Sequence, residues 1–73
     1  MKVRVRLDTL SDIAAFVLAV SSVKSEVYLT NDKNLRADGK SFLGVAHAHE
    51  FSNLWCECEE DIYSKISSFI PAE

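Results

Sequence analysis

Asp38-Gly39-Lys40-Ser41-Phe42-Leu43-Gly44-Val45 reads as a corner between a strand and a helix. Asp38-Gly39 is a turn signal. Ser41 suits the N-cap of a short helix, because its hydroxyl can accept an N–H that the first turn leaves unpaired. Phe42, Val45 and Ala46 then recur at helical spacing and are expected to face a core. Gly44 inside a helix costs about 1 kcal/mol relative to Ala, so a packing or contact reason is expected for it.

Working outward, Val3, Val5 and Leu7 alternate with Lys2, Arg4 and Arg6. This period of two marks a strand with one buried and one basic face. Asp8-Thr9 ends it. Leu10, Ile13, Ala14, Val17 and Val20 follow at helical spacing, broadened by Phe16, and predict a helix from about Ser11 to Ser22. Thr9 with Asp12 approximates a capping box. Glu26 to Thr30 alternates again, with Val27 and Leu29 on one face. Asn31-Asp32-Lys33-Asn34 is a polar turn, and Leu35 and Ala37 supply a short third strand in hairpin with the second. The second helix is expected from Ser41 to about His47.

Beyond it, Asn53 to Cys58 is a fourth strand, with Leu54, Cys56 and Cys58 on one face and Trp55 and Glu57 on the other. Glu59-Glu60-Asp61 places negative charge before a third helix, where the dipole favours it. Ile62, Ile66, Phe69 and Ile70 are its expected buried stripe, and Pro71 stops it. The order is βαββαβα. Three helices can cover one face of a four-stranded antiparallel sheet, which is an α+β open-faced sandwich.

With 73 residues, residues 1–73 are expected to form one domain. A hydrophobic content of 48% with only 2 Gly and 1 Pro points to a globular chain. The net charge of −3 argues against a nucleic-acid partner, which usually meets a basic face. The apolar run Ile13 to Val20, 8 residues, is too short to cross a bilayer. The alternating Lys2–Leu7 segment is no signal-peptide core. The expected compartment is the cytoplasm, with both cysteines reduced. No motif calls for a metal or another cofactor.

The corner also carries a resemblance. Gly39-Lys40-Ser41-Phe42-Leu43-Gly44-Val45 resembles the regulatory serine segment of HPr, the histidine phosphocarrier family of the bacterial sugar phosphotransferase system. That family shows a Lys-Ser pair, two bulky apolar residues and often Gly-Val at the start of its second helix. The order of elements along nearly the whole chain fits the same family. The resemblance implies a cytoplasmic protein whose helix 2, with the nearby start of helix 1, docks protein partners.

The family's activity depends on a histidine at the start of helix 1. It carries a phosphoryl group derived from phosphoenolpyruvate, within the motif Leu-His-Thr-Arg-Pro. A helix N-terminus suits that task because its free N–H groups and positive dipole end stabilise phosphate. Here the matching segment is Asp8-Thr9-Leu10-Ser11-Asp12, and the family histidine falls near Thr9. No histidine precedes His47, and no arginine lies between Arg6 and Arg36. Asp8 and Asp12 would repel an incoming phosphate. No catalytic residue is therefore assigned, and an enzymatic activity is not expected.

The regulatory serine maps onto Ser41. The resemblance implies an ATP-dependent kinase as its modifier; the plain alternative is that Ser41 is only a cap. Phosphorylation would add a charge of about −1.5 to −2 at a helix start beside Lys40. In lacking the histidine and keeping the serine, the chain is similar to the catabolite-repression HPr-like branch. The expected partner surface comprises Lys40, Phe42, Leu43, Gly44 and His47. Helix 2 is too short to bury every apolar side chain, and Gly44 would let a partner approach the backbone.

His47-Ala48-His49 invites a ligand reading, but residues two apart on a helix do not face each other. Two exposed histidines, an interface role and a replacement phosphoryl acceptor all remain open. Cys56-Glu57-Cys58 puts two thiols on one strand face, where reduced cysteine packs as a small hydrophobe. Its spacing is not that of zinc or thioredoxin-like sites. Trp55 and Tyr28 lie opposite the core residues. Ordinary packing on an uncovered sheet is one reading. A patch with the stems of Arg4 or Arg6, for a protein partner or a homodimer, is the other.

Three functions follow. The first is a regulatory or adaptor protein of the sugar phosphotransferase system without histidine phosphotransfer. The second is an active phosphocarrier using His47 or His49. The third is a diverged domain that keeps the fold alone.

Overall fold

Four short runs of alternating burial build one antiparallel sheet. A computed structural model describes residues 1–31, 35–48 and 53–71. The elements are β1 (Lys2–Arg4), α1 (Leu10–Val20), β2 (Val27–Thr30), β3 (Arg36–Asp38), α2 (Phe42–Ala48), β4 (Trp55–Cys58) and α3 (Tyr63–Ile66), and a 3₁₀ turn, Ser67–Phe69, continues α3. The strand order is β1-β4-β2-β3, and every neighbouring pair is antiparallel. The fold is the expected α+β open-faced sandwich.

The register fixes which side chains share a face. Val3 pairs with Cys56, Cys56 with Leu29, and Leu29 with Ala37, a row that points toward the helices. Val27 and Cys58 form the next inward row. Val27, Leu29, Cys56 and Cys58 join Ile13, Phe16 and Val20 of α1, Val45 and Ala48 of α2, and Ile62 and Ile66 around α3 in one buried cluster. Burying each of these side chains is worth about 1.5–3 kcal/mol for the larger ones, so the inward rows are the main source of stability. The outward rows are Lys2–Glu57–Tyr28–Asp38 and Arg4–Trp55–Thr30–Arg36.

Several elements differ from the expected spans. The ladder of β1 ends at Arg4, yet Val5 and Leu7 stay buried, because the Val5 N–H donates to the Leu54 carbonyl and the Arg6 N–H to the Phe69 carbonyl. The Arg6 bond also anchors the end of the third helix. It engages the Phe69 carbonyl at 2.7 Å just where the helix tightens to 3₁₀. Ser67 and Ser68 are mediocre helix formers and do not resist that tightening. Phe69 still packs edge-on against Phe16, ring centres 5.4 Å apart.

The expected core stripe of α1 is corrected as well. Ile13, Phe16 and Val20 are buried, Val17 is half-buried, and Leu10 and Ala14 face solvent. In α2, Val45 is buried and Ala46 packs on the core, whereas Phe42 is 43% exposed. The residues of the expected 31–34 turn, apart from Asn31, lie outside the described residues. Asn31 accepts the Leu35 N–H through its side chain.

Candidate functional site

The start of α1 is the place where the resemblance puts a phosphoryl carrier. Thr9 is the N-cap in extended conformation, φ −129° and ψ 166°. Its hydroxyl accepts the Asp12 N–H at 3.1 Å. The Asp12 carboxylate in turn accepts the backbone N–H groups of Asp8, at 2.9 Å, and of Thr9, at 3.1 Å. The expected capping box is complete. The Asp8 N–H and, second, the Thr9 N–H hold the Asp12 carboxyl below its ordinary value. The N–H groups of Asp8, Thr9 and Asp12 at this helix start are thus taken by the chain's own side chains. Arg6, the nearest guanidinium in sequence, pairs with Asp8 at 3.1 Å.

The second focus is the corner at residues 38–44. The Ser41 N–H donates to the Asp38 carbonyl, and the Ser41 hydroxyl accepts the Gly44 N–H at 3.1 Å. Ser41 is therefore the side-chain cap of α2, as expected. Gly39 is buried and pressed on β2. A Cβ there would lie 2.8 Å from Val27 Cγ1 and 3.0 Å from the Val27 carbonyl oxygen. Gly44 also has its contact inside the chain, since its Cβ would meet the Asp38 carbonyl oxygen at 3.2 Å.

Lys40 does more than accompany the serine. Its Nζ donates to the Val23 carbonyl at 2.5 Å, and its own N–H donates to the Asp38 carboxylate. It ties the turn after α1 to the start of α2. Glu60 holds the same turn from the other side by accepting the Ser25 N–H at 3.0 Å. That bond, with the Ser25 hydroxyl and then Lys24 and Lys40 nearby, lowers the Glu60 carboxyl below its ordinary value.

Each of the two helices leaves large apolar side chains exposed. Leu43 is 81% exposed in α2; in α1, Leu18 is 74% exposed and Leu10 68%. Leu10, Ala14, Val17 and Leu18 are spaced i, i+4, i+7 and i+8, so they share one flank of α1. Asp12 and Ala15, on the opposite flank, line the cleft with Phe69 and Ile70 after α3. α2 packs directly on α1. Of this surface the sequence reading found Phe42 and Leu43 and missed Leu10 and Leu18. The signal that could have found them is the second i, i+4, i+8 stripe, Leu10-Ala14-Leu18, beside the core stripe.

His47 is exposed in the last turn of α2, and His49 lies outside the described residues. Cys56 and Cys58 are both unpaired thiols buried in the core. Desolvation first, and Cys58 second, push the Cys56 thiol up to about 12. Among the described residues, no three metal-ligating side chains converge, and no helix is long and apolar enough to cross a membrane.

No family model matches the chain, and no curated protein or solved structure gives a significant match.

Proposed function

We propose that this chain is an HPr-like regulatory or adaptor protein, acting in the cytoplasm. It docks a protein partner through the apolar surface of α1 and α2 and does not carry phosphate on histidine. The observation that carries this reading is the exposure of Leu10, Leu18, Phe42 and Leu43 on two helices packed together. Exposed apolar patches of this kind on a small monomer mark interaction sites.

Ser41 sits at the rim of that surface, one residue before Phe42. A phosphate on its hydroxyl would place about −1.5 to −2 charge beside the apolar contacts while staying at a helix start that tolerates it. It would switch docking by changing the charge of the rim, with no change of fold. The closed capping box at Thr9 and Asp12 supports the absence of a phosphohistidine centre.

The experiment is labelling by the family's serine kinase with ATP, measured on the unaltered chain, on Ser41→Ala and on Leu43→Asp. Labelling should vanish in Ser41→Ala. In Leu43→Asp it should slow by about tenfold, because a kinase must first dock on the same surface. Equal labelling of Leu43→Asp and the unaltered chain would remove the docking surface from the account.

A further inference from the structure

The sheet has a second side, which no helix among the described residues covers. Its two outward rows carry three cations, Lys2, Arg4 and Arg36, on a chain whose net charge is −3. They surround two aromatic rings on the central strands. Lys2 Nζ lies 5.5 Å from the Trp55 ring centre, the Arg4 guanidinium 6.0 Å from it, and the Arg36 guanidinium 3.9 Å from the Tyr28 ring centre. Trp55 and Tyr28 lie on adjacent strands of this face, Trp55 beside Arg4 and Tyr28 beside Arg36, while Arg6 pairs with Asp8.

The charges on this face are not equivalent. Lys2 is neutralised by Glu57 at 3.6 Å, and Glu57 also accepts the Thr30 hydroxyl at 2.8 Å. Among the described residues neither Arg4 nor Arg36 has a carboxylate partner: Arg4 donates to the Asn53 side chain and lies at cation–π distance from Trp55, and Arg36 lies close over Tyr28. Both arginines belong to one row, Arg4–Trp55–Thr30–Arg36, which contains no acid. The row has an arginine on each edge strand and a half-buried tryptophan between them, and the Arg36 guanidinium leans over Tyr28 of the neighbouring row.

We infer that this row is a docking site for an acidic, extended protein segment lying across the strands. Three strand spacings of about 4.8 Å put the Arg4 and Arg36 backbone positions about 14 Å apart along the row, which an extended chain within reach of both long side chains spans in roughly four residues. The matching segment has carboxylates at its first and fifth positions and an apolar side chain at the third, over Trp55. Planar guanidinium groups pair bidentately with carboxylates, and Trp, Tyr and Arg are the side chains that most often anchor protein contacts. A single-stranded nucleic acid fits less well. Its phosphates repeat continuously, while the neighbouring row holds Glu57 and Asp38 and the cleft beside Tyr28 is rimmed by Glu26 and Glu59. A second copy brings the same acidic cleft and net charge of −3 against itself.

Trp55 is the sole tryptophan, so its fluorescence reports occupancy directly. The full chain is titrated with three probes at low and high salt: the peptide Glu-Ser-Leu-Ser-Glu, blocked at both ends, the same peptide with Lys in place of Glu, and an oligothymidylate of matching length. The acidic peptide should give a saturable change that is about tenfold weaker in Arg4→Ala/Arg36→Ala and at high salt. Leu43→Asp, on the opposite side of the sheet, should bind it unchanged, which separates this site from the helical surface. Equal responses to the Glu and Lys peptides, tighter binding of the oligonucleotide, or no response to the acidic peptide would each overturn the inference.

Discussion

The Thr9 hydroxyl accepts the backbone N–H of Asp12, and the Asp12 carboxylate accepts the backbone N–H of Thr9. This reciprocal pair closes the start of α1 on itself. It does so at the helix start where the proposed HPr-like reading looks for a phosphate. Thr9→Ala removes one half of the box and should cost about 1 kcal/mol of stability, measured by urea unfolding. Thr9→Ser should cost much less.

The pH dependence of stability tests the other half. The folded Asp12 carboxyl is held below its ordinary value by the Asp8 and Thr9 N–H groups, so its ionised form favours the folded chain. That contribution is present above the unfolded value, about 3.9, and is lost as pH falls toward and through the lower folded value. Asp12→Asn should therefore flatten the acid side of the stability profile below about pH 4, while changing little of its shape between pH 6 and 8. An unaltered acid limb in Asp12→Asn would show that the carboxylate is not so engaged.

The two glycines of the corner should separate cleanly. Gly39→Ala forces a methyl to 2.8 Å from Val27 Cγ1 and 3.0 Å from the Val27 carbonyl oxygen. Neither neighbour is the free end of a flexible chain, so the substitution should cost roughly 1–3 kcal/mol. In Gly44→Ala the new methyl meets the Asp38 carbonyl oxygen at 3.2 Å, while helix propensity improves by about 1 kcal/mol. The two effects oppose, and thermal melts should place Gly44→Ala within about 1 kcal/mol of the unaltered chain. Gly39→Ala should melt clearly lower.

The cysteines should report global unfolding. Cys56 is completely buried and its thiol is pushed up to about 12, so the thiolate is scarce at pH 8. Labelling of Cys56 by a thiol reagent at pH 8 should follow the urea transition rather than precede it. The sign at high pH also follows. The folded value lies above the unfolded one near 8.5, so the stabilisation is complete below about pH 8.5 and declines as pH rises toward 12. Rapid labelling of Cys56 in the native chain would contradict its place in the core.

Much of this was legible in the sequence because the signals were periodic or local. The alternation around Val27 and Leu29 and around Cys56 and Cys58 fixed both inward rows. The Thr9 and Asp12 spacing announced the capping box, and Ser41 its own cap. The orientation of α1 was not legible in the same way. Ile13 to Val20 is apolar all round, so spacing offers two apolar stripes, and only the packing decides that Leu10-Ala14-Leu18 is the one that faces solvent. The tie from Lys40 to Val23 spans 17 positions and belongs to no period. The bond from the Arg6 N–H to the Phe69 carbonyl, which anchors the end of α3, is tertiary, and propensity does not encode it. The arginine pairing on the sheet needed the register, since Arg4 and Arg36 become members of one row only when β1, β4, β2 and β3 assemble in that order.

The most direct measurement is intact mass after two parallel incubations of the full chain. One contains ATP and the serine kinase of the HPr family; the other contains phosphoenolpyruvate and the family's histidine-phosphorylating enzyme. The account predicts one phosphoryl adduct with the kinase, absent in Ser41→Ala, and none with phosphoenolpyruvate. An acid-labile adduct from phosphoenolpyruvate, on His47 or His49, or the absence of any adduct in both incubations, would contradict it.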